Sequence, residues 1–354
     1  VNRVTIKDIA RESGYSKTTV SFAFNDPSRI GKDTRAKILR IAEELGYVPD
    51  PVARNLSLRR QGTIGLLLPE VISFAFFNPY LSQIIQGIGA VCEREGHSLT
   101  LIPPIRESLL EGIRGAAVDG LITIGLEPGT ETVEFIKRRH LPFVTIDGRV
   151  GGDFPVVGID DRRAAALVMR YVLDLGHREI AIISLGSESR DDGPTHVESQ
   201  RLAGYRDALR DHGAPRDRDR TPADQPRIYY ACASMAGGRD ACDQIVQDGL
   251  PTAIVAMSDV LALGAMERLE IAGVTIPGEI TVVGFDDIRE SRLVRPQLTT
   301  ISQPGFEKGR HAAEALMRLI ADEDTERHIV LDAELVIRDS AAPPRVIAAT
   351  GGGR

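Results

Sequence analysis

The chain switches repeatedly between two hydrophobic periods. Ten short apolar runs suited to strands recur at residues 63–68, 98–102, 120–124, 143–147, 155–159, 180–185, 228–231, 253–257, 281–285 and 299–303. Between them, stretches such as 80–94, 162–175, 197–212, 235–248, 260–272 and 305–321 carry helical patterns. Strands that alternate with helices build parallel sheets covered on both faces. About ten strands is the upper end of what one compact sheet carries. The pattern therefore predicts an α/β body over residues 62–340, two lobes of doubly wound parallel sheet with a cleft between them. In such folds a ligand sits at the carboxyl ends of the strands. That rule singles out Asp147, Asp160, Ser258, Asp259 and Asp286.

Residues 1–60 read differently. Thr5 and Asp8 have capping-box spacing, opening a short helix with Ile6, Ile9 and Ala10 on one face. Gly14 can end it in a left-handed conformation at no steric cost. Ser16 caps a second helix that groups Val20, Ala23 and Phe24 and leaves Lys17, Thr18, Ser21 and Phe22 on other faces. A third helix, 33–45, turns Ile38, Ile41, Ala42 and Leu45 inward and stops at Gly46. Together these make a helix-turn-helix unit, expected over 1–49. Charge divides the same way. The overall −7 argues against a nucleic-acid partner, yet residues 1–60 hold twelve basic against seven acidic side chains, a net of +5, and the remainder carries −12. A basic head on an acidic body suits one part to a polyanion and not the other.

In a helix-turn-helix the second helix enters the major groove and reads base edges from its N-terminal residues. Lys17 can donate to guanine O6 or N7, and Thr18 can hydrogen-bond or offer its methyl to thymine. Phe22 cannot read guanine bidentately; it either packs on a thymine methyl or covers part of the small core. The run Val4-Thr5-Ile6-Lys7-Asp8-Ile9-Ala10, then Gly14-Tyr15-Ser16-Lys17-Thr18-Thr19-Val20-Ser21 and Asn25, closely resembles the head of the lac-repressor/galactose-repressor family. So does Thr34-Arg35 through Leu45-Gly46-Tyr47-Val48-Pro49. The resemblance implies a transcriptional regulator on a pseudo-palindromic double-stranded operator. It puts Thr5, Ser16, Thr19, Ser21, Asn25 and Tyr47 among contacts to the DNA backbone, which position the head without specifying sequence. Helix capping is the other reading of Thr5 and Ser16, and the two are compatible. Many relatives have a polar or basic residue where this chain has Phe22.

Asp50-Pro51 is a strong helix start, because Asp caps and Pro is tolerated at the first helical position. Val52, Ala53 and Leu56 fall on one stripe of a segment ending near Leu58, and a helix of about eight residues does not stand alone. Residues 50–61 are thus either an ordinary linker or a hinge helix that folds on a partner. The resemblance implies the hinge: two such helices of a homodimer pack in the minor groove. Leu56 then wedges a central base step, and Arg54, Arg59 and Arg60 lie near phosphates.

The body carries the resemblance in Gly158-Ile159-Asp160-Asp161, Leu175-Gly176-His177-Arg178, Arg201-Leu202-Ala203-Gly204-Tyr205 and a long run from Ser258-Asp259 to Gln303-Pro304. It implies the periplasmic-binding-protein layout, with chain crossings near 160, 290 and 325 and a small-molecule effector, expected to be a sugar, in the cleft. Sugars are gripped by planar groups that bridge adjacent hydroxyls, carboxylates and Arg above all. Arg201 and Asp286 are then the leading contacts, followed by Asp147 and Asp160. Ser258 stands where relatives commonly have an amide and reaches less far. Phe74, Phe76 or Phe77 can stack on a ring or simply pack in the core. An Asp after a strand is also an ordinary helix cap, an alternative open for Asp160, Asp161, Asp259 and Asp286.

Other classes have less support. No G-x-G-x-x-G follows a strand, and neither a P-loop nor a G-x-S-x-G elbow occurs, so neither an enzyme nor a cofactor is expected. Cys92, Cys232 and Cys242 are odd in number and lack metal spacing, which points to free thiols in a reducing cytoplasm and to no metal. His177, in a turn before a strand, reads as structural. No window approaches ~20 uninterrupted apolar residues, and 4–13 is polar and amphipathic, unlike an export signal. A sugar-binding protein of the periplasmic type would share the body but leave the head without a reason. The tail, 341–354, is expected to be disordered.

Overall fold

A computed structural model of the chain describes residues 4–49, 61–69, 77–186, 194–213 and 226–345. The expected hinge, with Arg54, Leu56, Arg59 and Arg60, lies outside these residues, as do Phe74 and Phe76. The chain divides into two compact units, Val1–Thr63 with Ala117–Asp119 and Ile64–Ala116 with Gly120–Arg354.

The first unit holds α1 (Ile6–Ser13), α2 (Lys17–Asn25), a 3-10 turn (Pro27–Arg29) and α3 (Lys32–Glu44). Gly14 follows α1 at φ 75°, a left-handed conformation that a Cβ would disfavour. Ile9, Val20, Ala23, Ile38 and Ala42 form the core, one or two from each helix. Phe24 and Tyr47 close its side with ring centroids 5.4 Å apart.

The second unit contains two six-stranded sheets. The first has the order β11-β5-β4-β3-β1-β2, from β1 (Thr63–Leu67), β2 (Ser98–Ile102), β3 (Gly120–Ile124), β4 (Phe143–Ile146), β5 (Val156–Ile159) and β11 (His328–Leu331). The second has the order β12-β10-β9-β8-β6-β7, from β6 (Ile180–Leu185), β7 (Arg227–Ala231), β8 (Ala253–Ala256), β9 (Thr281–Asp286), β10 (Thr299–Ser302) and β12 (Glu334–Val336). In the second sheet β6–β10 pair in parallel, and β12 joins β10 antiparallel. Period-two packing explains the continuous apolar runs. Ala181, Ile183, Ile254, Ala256 and Val282 face one helix layer, and Ile180, Ile182, Ala253, Val255 and Val283 face the other.

The chain leaves the first sheet after Ile159, and the helix Asp161–Asp174 already packs on the second. Two expected crossings move. Near 290 the chain makes only a 3-10 turn, Arg289–Arg292, and returns to the same sheet, because β9 and β10 are parallel neighbours. It crosses instead between Ser302 and the helix Gly305–Ile320, whose Ala312, Ala313 and Leu316 join the first sheet's core. The last crossing lies between Leu331 and Glu334, not near 325. The tail also begins later than 341. Thr281 Oγ1 bonds both the backbone N–H and carbonyl of Ala342, and His177 Nε2 donates to the same carbonyl at 2.9 Å.

Candidate functional site

In the head, the Thr5 N–H and hydroxyl both donate to Asp8 Oδ2, at 3.0 and 2.7 Å, which holds that carboxyl below its usual range. Ser16 Oγ accepts the Thr19 N–H at 3.0 Å and pairs with the Thr19 hydroxyl at 2.8 Å. Asn25 Nδ2 donates to Ser21 Oγ at 3.2 Å, tying one face of α2. Lys17 and Thr18 are exposed at the N-terminal end of that helix, where a recognition helix presents its side chains. Phe22 is half-buried beneath the Arg29 guanidinium, whose carbon lies 5.2 Å from the ring centroid. Asp26 steadies that guanidinium at 2.8 Å.

In the body, the strand-end residues form one buried polar cluster. Arg201, on the helix His196–Asp211, donates from Nε to Asp161 Oδ1 at 2.8 Å and from a terminal nitrogen to the Met257 carbonyl at 2.5 Å. Its guanidinium lies 3.6 Å from the centroid of the Phe285 ring. Burial opposes its charge, but the Asp161 and Asp286 carboxylates outweigh that and raise its pKa. Asp286 ends β9 with φ 136°, a region costly to a residue with a Cβ. Its Oδ1 accepts from Gln303 Nε2 at 2.5 Å. Burial pushes the Asp286 carboxyl up to about 7, and the charge of Asp259 adds to the effect. Asp259 accepts from the Ile288 N–H and from the Ser291 and Thr300 hydroxyls, yet burial still pushes it to about 6.

The remaining expected contacts are placed less simply. Asp147 is 8% exposed at its side chain and both of its oxygens are engaged, Oδ1 by Lys308 at 2.5 Å and Oδ2 by the Tyr80 hydroxyl at 3.0 Å. Asp160 is exposed and caps the helix Asp161–Asp174 through the Arg163 N–H, whereas its neighbour Asp161 is buried against Arg201. Ser258 is buried, and its hydroxyl has no partner among the described residues. Phe77 is 74% exposed, so core packing does not account for it. Asp161, Lys308, Gln303 and Tyr80 are not legible in the sequence as members of the cluster. Asp161 reads there as a cap, and Lys308 and Tyr80 lie inside ordinary amphipathic helices. Among the described residues no group of His, Cys, Asp and Glu is placed to hold a metal, and no helix is long and apolar enough to cross a membrane.

Comparison with known proteins agrees with both halves. Residues 5–50 match the model of bacterial regulatory proteins, lacI family, and residues 169–341 match a periplasmic binding protein-like domain. The chain is 34% identical over 364 residues to the HTH-type transcriptional regulator Rv3575c of Mycobacterium tuberculosis, covering 97% of this chain and 98% of that protein. It is 32% identical to the PurR transcriptional repressor of Vibrio atlanticus, covering 92% and 94%. Among solved structures, a LacI family regulator from Enterococcus faecium with bound ribose superposes with a TM-score of 0.67 at 29% identity, covering 80% of this chain and all of that one. Helix-turn-helix head, two-sheet body and these likenesses agree: the chain belongs to the lacI family of bacterial regulatory proteins and is a DNA-binding transcriptional regulator with a periplasmic-binding-protein-like body for a small-molecule effector.

Proposed function

We propose that the protein is a homodimeric repressor that reads a pseudo-palindromic operator in the cytoplasm and is controlled by a sugar bound at the strand ends of its body. It acts by binding, not catalysis. Lys17, Thr18 and Phe22 face the bases, while Thr5, Ser16, Thr19, Ser21, Asn25 and Tyr47 face the backbone. Residues 50–61 fold as a hinge when two protomers meet on DNA, with Leu56 in the minor groove and Arg54 beside it. Arg201 and Asp286 grip the effector, with Ser258 beside them and a phenylalanine, Phe74 or Phe77, against the ring. Asp147 and Asp160 serve the same site indirectly, one by charge and one by capping a helix.

The observation that carries this reading is the strand-end cluster. A buried guanidinium lies over the Phe285 ring, and a carboxylate one residue further on ends the same strand in a strained conformation. Such groups bridge adjacent hydroxyls. An effector that contacts both sheets biases their closure only through its different affinity for the open and closed forms. The test is a gel shift on duplexes selected for binding, with and without a saccharide panel. Arg201→Ala should abolish the effect of sugar and leave DNA binding largely intact. A normal response in that variant overturns the assignment.

A further inference from the structure

Lys308 brings a fully buried ammonium into the body's polar cluster. It sits on the helix Gly305–Ile320, between Glu307 and Gly309, and is 0% exposed. An ammonium has three N–H donors and no acceptor. All three are used: on Asp147 Oδ1 at 2.5 Å, on Gln303 Oε1 at 2.7 Å and on the Tyr80 hydroxyl at 2.8 Å. Tyr80 donates its own proton to Asp147 Oδ2. Lys308 thereby joins β4 of the first sheet to the end of β10 in the second.

Donor and acceptor counting then fixes the orientation of Gln303. An amide next to an ammonium must offer it the carbonyl oxygen, so the Gln303 NH2 is left pointing the other way, at Asp286 Oδ1, 2.5 Å off. Asp286 Oδ2 in turn accepts from the Asp259 N–H at 3.4 Å. Both Asp286 oxygens are therefore acceptors. Around it stand Asp259 at the start of the helix Asp259–Ile271, Arg201 and Tyr205 on the helix His196–Asp211, and Tyr80 on the helix Pro79–Glu95. Asp287, next along the chain, is held by Arg292 and Arg338. Among the described residues, the cluster's cations Arg201 and Lys308 are both paired, with Asp161 and Asp147.

We propose that Lys308 is a positioning residue of the effector site. Its ammonium sets the direction of the Gln303 amide and neutralises Asp147, so that Asp286 meets the effector as an acceptor. The site then takes uncharged, hydroxyl-donating ligands in preference to phosphorylated ones. This rests on the effector site proposed above, and the experiment has an arm that needs no ligand.

In the full-length protein, carboxyl 13C NMR of labelled Asp follows the titration of Asp286, assigned with Asp286→Asn. Lys308→Met should move its midpoint upward by about one pH unit, as a hydrogen bond to the ionised form is lost. Lys308→Met leaves Asp147 buried and unpaired, so Lys308→Met/Asp147→Asn, which removes the charge pair as a unit, guards against misfolding. The midpoint stays raised in the double variant if the amide direction matters. A return to the wild-type midpoint overturns the proposal. The second arm titrates wild type and double variant with ribose and ribose 5-phosphate by calorimetry. Ribose should bind wild type at least tenfold tighter than its phosphate, and the ratio should fall in the variant. Preference of wild type for the phosphate overturns the proposed ligand class. A raised midpoint with no binding of either probe upholds the role of Lys308 and counts against the saccharide effector.

Discussion

At the scale of single residues, the buried carboxylates of the body differ in what holds them. Asp147, Asp161 and Asp287 are in ion-pair contact with cations, whereas Asp259 and Asp286 accept hydrogen bonds from neutral donors, the Asp259 N–H reaching Asp286 Oδ2 at 3.4 Å, and only the nearby charge of Arg201 offsets burial at Asp286. Their folded-state pKa values, about 6 and about 7, stand above the ordinary 3.8. This pair therefore binds more protons in the folded protein than in the unfolded chain between about pH 4 and pH 7, and the stability it contributes declines as pH rises through that window. Asp286→Asn carries no charge there. Urea denaturation at pH 5 and pH 8 should show the variant gaining on wild type as pH rises; a constant difference would mean that the Asp286 carboxyl titrates normally. Burial lowers the pKa of His177, whose Nε2 holds the Ala342 carbonyl.

At the scale of elements, glycine decides how closely helices approach. The helices Pro79–Glu95 and Gly305–Ile320 cross with backbones nearly touching: a Cβ at Gly87 would lie 2.0 Å from the Phe306 carbonyl oxygen, and one at Gly309 would lie 2.1 Å from that of Ile84. Lys308 is next to this crossing, so the same close approach that excludes side chains at 87 and 309 brings its ammonium to Tyr80. Gly87→Ala should cost about 1–3 kcal/mol in urea denaturation by forcing the helices apart. It should also weaken effector response more than DNA binding. In the head, Ser16→Ala should lower stability by about 1 kcal/mol through loss of the α2 cap, read by thermal unfolding of the full chain.

At the scale of the whole molecule, the net charge of −7 misleads because it averages two parts of opposite sign. The head's +5 supplies attraction to phosphate, so DNA affinity should fall steeply with salt. The acidic body discourages nonspecific contact elsewhere. The proposed hinge adds a term that charge alone cannot give. Leu56→Ala should reduce binding to a selected operator much more than binding to random duplex, measured in the same buffer. Equal losses on both would reduce the segment to a linker.

The α/β class, the helix-turn-helix and most strand positions are written in local patterns. Period-two apolar runs, caps such as Ser16 and a left-handed turn at Gly14 depend on neighbours within a few residues. β11 and β12 escape because they are short edge strands with half-exposed sides, which leave no continuous apolar run. The crossings at 303 and 332 escape because sequence order does not say which of two sheets a strand joins; long-range pairing decides that. The same holds for the site. Strand ends point to Asp286, and family likeness points to Arg201. Only the packed structure could show that Asp161 rather than Asp160 takes the guanidinium, or that a lysine inside an unremarkable amphipathic helix ends at full burial between two sheets. Local sequence sets which residues can be helical, extended or buried. Which charges meet is decided by tertiary packing, since a buried charge persists only where distant elements bring it a partner.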